Sequence, residues 1–169
     1  MGRRFSWAVV VLFLLTPMVA MGSGIKRVAP TGYTSTGDLI MGWHWLRRPG
    51  AYSQWNFPAI GPHKVSAICV STLSTNQVNG GAGYDSKVLV GIKVDGKPVH
   101  WFKRPMHLRN ACPCIKYPGF SNGIGYKSYG CRRIKLPTNK PFSILLKYPG
   151  RGHHTATRKD SVKVIYLTP

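Results

Sequence analysis

Apolar and polar positions alternate along much of the chain. Val88, Val90, Ile92 and Val94 interleave with Leu89, Gly91, Lys93 and Asp95, so one face of this run is wholly apolar. A two-residue period of this kind predicts a strand with one side in a core. Phe142, Ile144, Leu146 and Tyr148 alternate with Ser143, Leu145 and Lys147, and Val162, Val164 and Tyr166 mark one side of the closing run Ser161 to Leu167. Lys64 to Leu73 (KVSAICVSTL) is a further strand-like run, rich in β-branched residues. Asp95-Gly96 stands between the 88–94 run and Pro98 to Lys103 (PVHWFK). Both residues tolerate the positive φ of a type I′ turn, which predicts a tight hairpin.

No segment carries a capped 3.6-residue apolar stripe. Gly- and Asn-rich stretches read as loops: Asn79 to Asp85, Gly119 to Gly130, and Tyr148 to His154. Several strands separated by turn signals predict an all-β fold, an antiparallel sandwich or jelly roll, with a closed barrel as the alternative. No linker divides the chain, so 23–169 is expected to form a single domain.

The N-terminus changes the picture of compartment. Arg3 and Arg4 precede an unbroken apolar run, Trp7 to Leu15, followed by Pro17 and the small residues Ala20 and Gly22. This order is that of a signal peptide spanning 1–22, cleaved after Gly22 or alternatively after Ala20. The run falls short of the ~20 apolar residues that span a bilayer, and no later segment is apolar enough. The alternative is an uncleaved N-terminal anchor. The expected location is therefore extracellular or periplasmic, either free or associated with the cell surface.

Charge narrows the partner. Lys and Arg number 24 against four Asp and no Glu, for a net charge of +20. Such a surface attracts polyanions over about 8 Å at physiological salt. Acidic polysaccharide, envelope polymers, anionic lipid and nucleic acid all qualify, the last through non-specific charge alone, since no nucleic-acid-binding motif is present. Solubility is the blander explanation of the same charge.

Four cysteines, Cys69, Cys112, Cys114 and Cys131, point to disulfides in an exported chain. Cys112 and Cys114 flank only Pro113, and a bridge that tight is strained. The expected pairings are therefore Cys69–Cys112 with Cys114–Cys131, or Cys69–Cys114 with Cys112–Cys131; a buried free Cys69 is the variant with one bridge. The competing reading is a thiolate–imidazole metal site with His100 and His107, whose spacing does not match the usual paired knuckles. No cofactor and no metal are expected.

Aromatic residues beside cations supply the candidate binding groups. Trp43, Trp45, Arg47 and Arg48 form one cluster, and in a strand the two indoles share a face. Tyr126, Tyr129 and Arg132 form a second, and Arg151, His153 and His154 a third. Flat aromatic faces suit sugar rings, and guanidinium groups suit anionic substituents. Against this stands the tendency of aromatics in small β-domains to be core. The general plan resembles secreted carbohydrate-binding or lectin-like sandwiches, without a motif that names a family.

Catalytic groups are sparse. The nominal set is His153 or His154 with Asp160 and Ser161; the bland reading of Asp160 is a strand-start residue paired with Arg158 or Lys159. No G-x-S-x-G elbow precedes a helix, and neither H-E-x-x-H nor a complete phosphate loop occurs. The expectation is a non-catalytic module that binds an acidic or neutral polysaccharide or another envelope polyanion. A self-assembling surface protein is the alternative, and a His/Asp hydrolase the third.

Overall fold

β-Branched and aromatic residues at alternating positions fold here as strands throughout. The computed structural model describes residues 24–61, 63, 65–76, 86–95, 97–116, 124–136, 139–148, 150 and 153–168. For Val65, Thr75, Asn76, Ser86, 110–116, 124–126 and His153 it describes the backbone alone. The expected signal segment 1–22 and the predicted loop Asn79 to Asp85 lie outside the described residues.

The strands are β1 (Ile25–Val28), β2 (Gly32–Ser35), β3 (Asp38–Ile40), β4 (Trp43–Leu46), β5 (Tyr52–Phe57), β6 (Val65–Asn76) and β7 (Ser86–Val94). They continue as β8 (His100–Trp101), β9 (Met106–Lys116), β10 (Ile124–Arg133), β11 (Phe142–Lys147), β12 (His153–Thr157) and β13 (Val162–Leu167). One 3₁₀ turn, Lys159–Ser161, joins β12 to β13. All pairings are antiparallel, in the order β2-β5-β11-β7-β9-β10-β6-β12-β4-β3, with β1 on β13 and β13 on β6. The path does not close on itself, so the barrel alternative gives way to a sandwich-like fold.

β7 turns the corner between the layers. It pairs with β11 over Leu89–Val94 and with β9 over Ser86–Val88. Trp55, Phe57, Phe142, Ile144, Leu146, Val88, Val90 and Ile92 come from one layer. They pack against Leu46, Ile68, Val70, Met106, Leu108, Val162 and Val164 from the other, all at most 8% exposed. The alternation read in the 88–94, 142–148 and 161–167 runs is the alternation that builds this core. Burying a large aliphatic or aromatic side chain stabilises by about 1.5–3 kcal/mol.

The hairpin at Asp95-Gly96 differs from the expected one. Lys97 N donates to Val94 O at 3.0 Å, so a turn forms. Met41 is, however, the one non-glycine with positive φ among the described residues, which leaves Asp95 outside a type I′ geometry. Pairing begins at Ile92–His100 and Gly91–Trp101, one residue off the tight register. Side-chain packing explains the shift. Cross-strand partners share a face, so the tight register would aim Trp101 at the core beside Val90. The observed register lays Trp101 over Gly91 on the outside and sends Phe102, whose N donates to Val90 O at 3.0 Å, against the core.

A true two-residue turn occurs elsewhere. Met41 (φ 51°) and Gly42 (φ 76°) link Ile40 to its partner Trp43. Two successive positive φ values match the twist of a hairpin, which fixes the face on which Trp43 emerges.

Two predicted loops are partly strand. β10 takes up Ile124 to Gly130 of the Gly119–Gly130 stretch, and β12 begins at His153.

Candidate functional site

The outward face of the second layer follows from strand register. Ser66, Ile68, Val70, Thr72 and Ser74 of β6 point into the sandwich and are buried, so Ala67, Cys69, Ser71 and Leu73 face out. Each outward residue of β6 heads a row across the neighbouring strands.

The Leu73 row runs from Lys127 through Leu73, Ala156 and Trp45 to Asp38. Trp45, Leu73 and Ala156 form a second apolar cluster, with Ile40 and Trp43 packed against it. Trp45 shares a face with Trp43 as expected, yet it is 0% exposed. It supports the surface from below and offers no contact to a ligand.

The Ser71 row carries Tyr129 on one side. On the other side β12 has ended at Thr157, and Arg158 continues opposite Trp43, its guanidinium 4.4 Å from the indole centroid. Arg158 also grips Asp160, Nε to Oδ1 at 2.7 Å and Nη2 to Oδ2 at 3.1 Å. The Cys69 row contains Cys131 and Lys163.

These rows enclose a groove of about 570 Å³. Trp43, Tyr129, Lys127, Arg158, Asp160 and Lys163 surround it, and the Cys69–Cys131 disulfide lies in its floor. Tyr129 is 53% exposed. Three cations and two aromatic rings thus meet one carboxylate, which is already held by an arginine.

The disulfide corrects both expected pairings. Cys69 is bonded to Cys131, its cross-strand partner in the β6–β10 ladder, with Cα atoms 4.1 Å apart. Register places the two side by side although they stand 62 positions apart in sequence, a proximity that spacing along the chain does not report. The bond also removes Cys69 from the thiolate–imidazole site considered with His100 and His107. The side chains of Cys112 and Cys114 lie outside the described residues.

Other expected site residues are scattered. Arg47 and Arg48 both bind Asp38, Arg47 Nε donating at 2.8 Å to Oδ2 and Arg48 Nη2 to Oδ1. These bonds, with Arg48 the larger contributor, hold the Asp38 carboxyl below its ordinary value of 3.8. Arg132 lies on the opposite face of β10 from Tyr129; its guanidinium sits 5.1 Å from the Phe102 ring and donates to Arg104 O at 2.8 Å. Tyr126 pairs through its backbone with Ser74, and His153 with Asn76; their side chains lie outside the described residues, as does Arg151. His154 stacks on Tyr148, with centroids 5.8 Å apart.

The nominal His/Asp/Ser set is not assembled. His154 lies opposite Thr75 and Val162 opposite Val70. Five strand positions separate those two points, about 17 Å along β6. Asp160 is taken by Arg158, and the buried Ser161 Oγ accepts from Arg158 N at 3.0 Å.

Sequence reasoning missed Lys127, Arg158 and Lys163 as site residues. Lys163 was legible as the polar position between Val162 and Val164, and Lys127 as the cation between two tyrosines. Arg158 carries no local signal, because its place over Trp43 depends on the β4–β12 pairing.

Comparison with protein-family models gives no match, and comparison with curated proteins gives none. Among solved structures the chain is similar to the enzymatically active domain of bacteriophage CBA120 tailspike protein 4, at 10% identity and a TM-score of 0.29. The likeness covers 88% of this chain and 19% of that one. A likeness that slight says nothing about activity.

Proposed function

We propose that this protein is a non-catalytic, exported binding module whose outer groove receives an acidic polysaccharide or a similar envelope polyanion. One observation carries the reading: Trp43 and Tyr129 stand in the same groove as Lys127, Arg158 and Lys163, on a chain of net charge +20. The exposed Tyr129 ring provides flat apolar surface for a sugar, Trp43 holds Arg158 in place through its own ring, and the cations neutralise acidic substituents. The Cys69–Cys131 bond and the signal-like N-terminus fit an oxidising, extracytoplasmic location.

The test is binding of the mature protein to neutral polysaccharides, acidic polysaccharides and DNA across a salt series. The expected result is binding to acidic polysaccharide that persists in part at high salt and is lost in Trp43→Ala. Equal binding to every polyanion, collapsing with salt and untouched by Trp43→Ala, would mean that charge alone acts.

Self-association is a second reading, favoured by β3. This strand stands at the end of the sheet path, with Leu39 66% and the neighbouring Met41 64% exposed. Edge strands with apolar side chains are templates for pairing between copies. A molecular mass that rises with concentration, and returns to the monomer in Leu39→Lys, would support it.

A further inference from the structure

A second groove, of about 740 Å³, adjoins the first. Arg27, Val28, Ala29, Pro30, Lys159 and Val162 belong to it alone, while Arg158, Asp160 and Lys163 line both grooves. Register sets the key cations of both on one face. Lys163 stands beside the outward Cys69, and two positions on, Ile165 stands beside the outward Ala67. Arg27 pairs with Ile165 and therefore points the same way. The 3₁₀ turn Lys159–Ser161 gives Lys159 to the second groove, and Arg158, the residue before the turn, lines both.

Resting on the reading above, we propose that the two grooves form one continuous track for a linear anionic polymer, which crosses the turn at Arg158 and reaches Arg27 and Lys159. From the Lys127–Leu73 row to the Ala67–Ile165–Arg27 row is six positions along β6, roughly 20 Å, and three strand spacings across, roughly 14 Å. A single sugar or a free small anion fills one depression; only a chain engages both. Five cations, Arg27, Lys127, Arg158, Lys159 and Lys163, meet one carboxylate along the track. That carboxylate, Asp160, bonds Arg158 at the crossing point. An acidic group of the polymer at this point would compete with Asp160 for Arg158. The polymer's second contact is intramolecular once the first is made, so affinity rises with length without new chemistry.

The experiment titrates the mature protein with alginate fragments graded from short to long, in wild type, in Arg27→Ala/Lys159→Ala and in Lys127→Ala/Tyr129→Ala. These side chains sit on the surface, and matching melting temperatures establish that each variant folds. Wild-type affinity is expected to climb with fragment length and then level off. Arg27→Ala/Lys159→Ala should match wild type on the shortest binding fragment and lose the length-dependent gain, on the order of tenfold. Lys127→Ala/Tyr129→Ala should weaken every length. Affinity independent of length, or a gain that survives in Arg27→Ala/Lys159→Ala, overturns the continuous track and leaves the single-groove reading standing. Failure of wild type to bind alginate of any length overturns both.

Discussion

The indole of Trp55 holds the turn at Lys159 from inside the core. Its Nε1 donates to the carbonyls of Lys159, at 3.0 Å, and Arg158, at 3.2 Å. Trp55 itself is 0% exposed and belongs to β5, in the opposite layer of the sandwich. A residue without surface thus fixes the turn that presents Arg158 to the outer groove. Trp55→Phe keeps most of the buried volume and removes the donor. The expected loss is about 0.5–1.5 kcal/mol, the net value of one hydrogen bond, since Arg158 O still accepts from Ser161 N. Urea unfolding measures that loss, and acidic-polysaccharide binding should weaken although no surface residue has changed.

Trp43 and Trp45 should separate cleanly. Trp45→Ala empties a fully buried site in the outer cluster and is expected to cost about 3–5 kcal/mol. Trp43 is only half-buried, so Trp43→Ala should cost much less stability and remove binding. Equal effects of the two on the denaturation midpoint would contradict the assignment.

The Cys69–Cys131 bond closes a segment with a sequence separation of 62. The chain-entropy model assigns a closure of that length about 4 kcal/mol. Cys69→Ala/Cys131→Ala should lower stability by about 2–4 kcal/mol in denaturant titration. Peptide mapping of the unreduced protein should recover Cys69 linked to Cys131.

Gly130 sits where β10 passes close to β9. A Cβ there would lie 2.7 Å from His107 O and 3.2 Å from the Met106 side chain. The backbone oxygen cannot swing aside, so Gly130→Ala should destabilise by about 1–3 kcal/mol, read by thermal melting. The strain falls between Tyr129 and Cys131, so groove binding should weaken as well.

Asp38 gives a pH signature. Arg48 and then Arg47 depress its folded pKa, so its stabilising contribution is present above the ordinary carboxylate value and is lost as pH falls through the folded one. The melting temperature of Asp38→Asn should therefore lie below wild type at neutral pH, with the gap closing below pH 3.8. A gap unchanged at low pH would mean that the ion pairs contribute nothing.

The sequence by itself determined the all-β class and the core faces of β7, β11 and β13, because burial on one side of a strand imposes a period of two on the residues themselves. It also determined the basic surface, since charge is composition. Only the tertiary structure decided which strands became neighbours, and with that the remaining features. Cys69 met Cys131, Arg158 came to lie over Trp43, and Tyr129 and Arg132 parted to opposite faces of β10. The Asp95-Gly96 turn could not choose its own register, because the side chains beyond it had to decide which of Trp101 and Phe102 entered the core. Local sequence sets which way a side chain can point; what it meets there depends on contacts far apart in the chain, which no local pattern records.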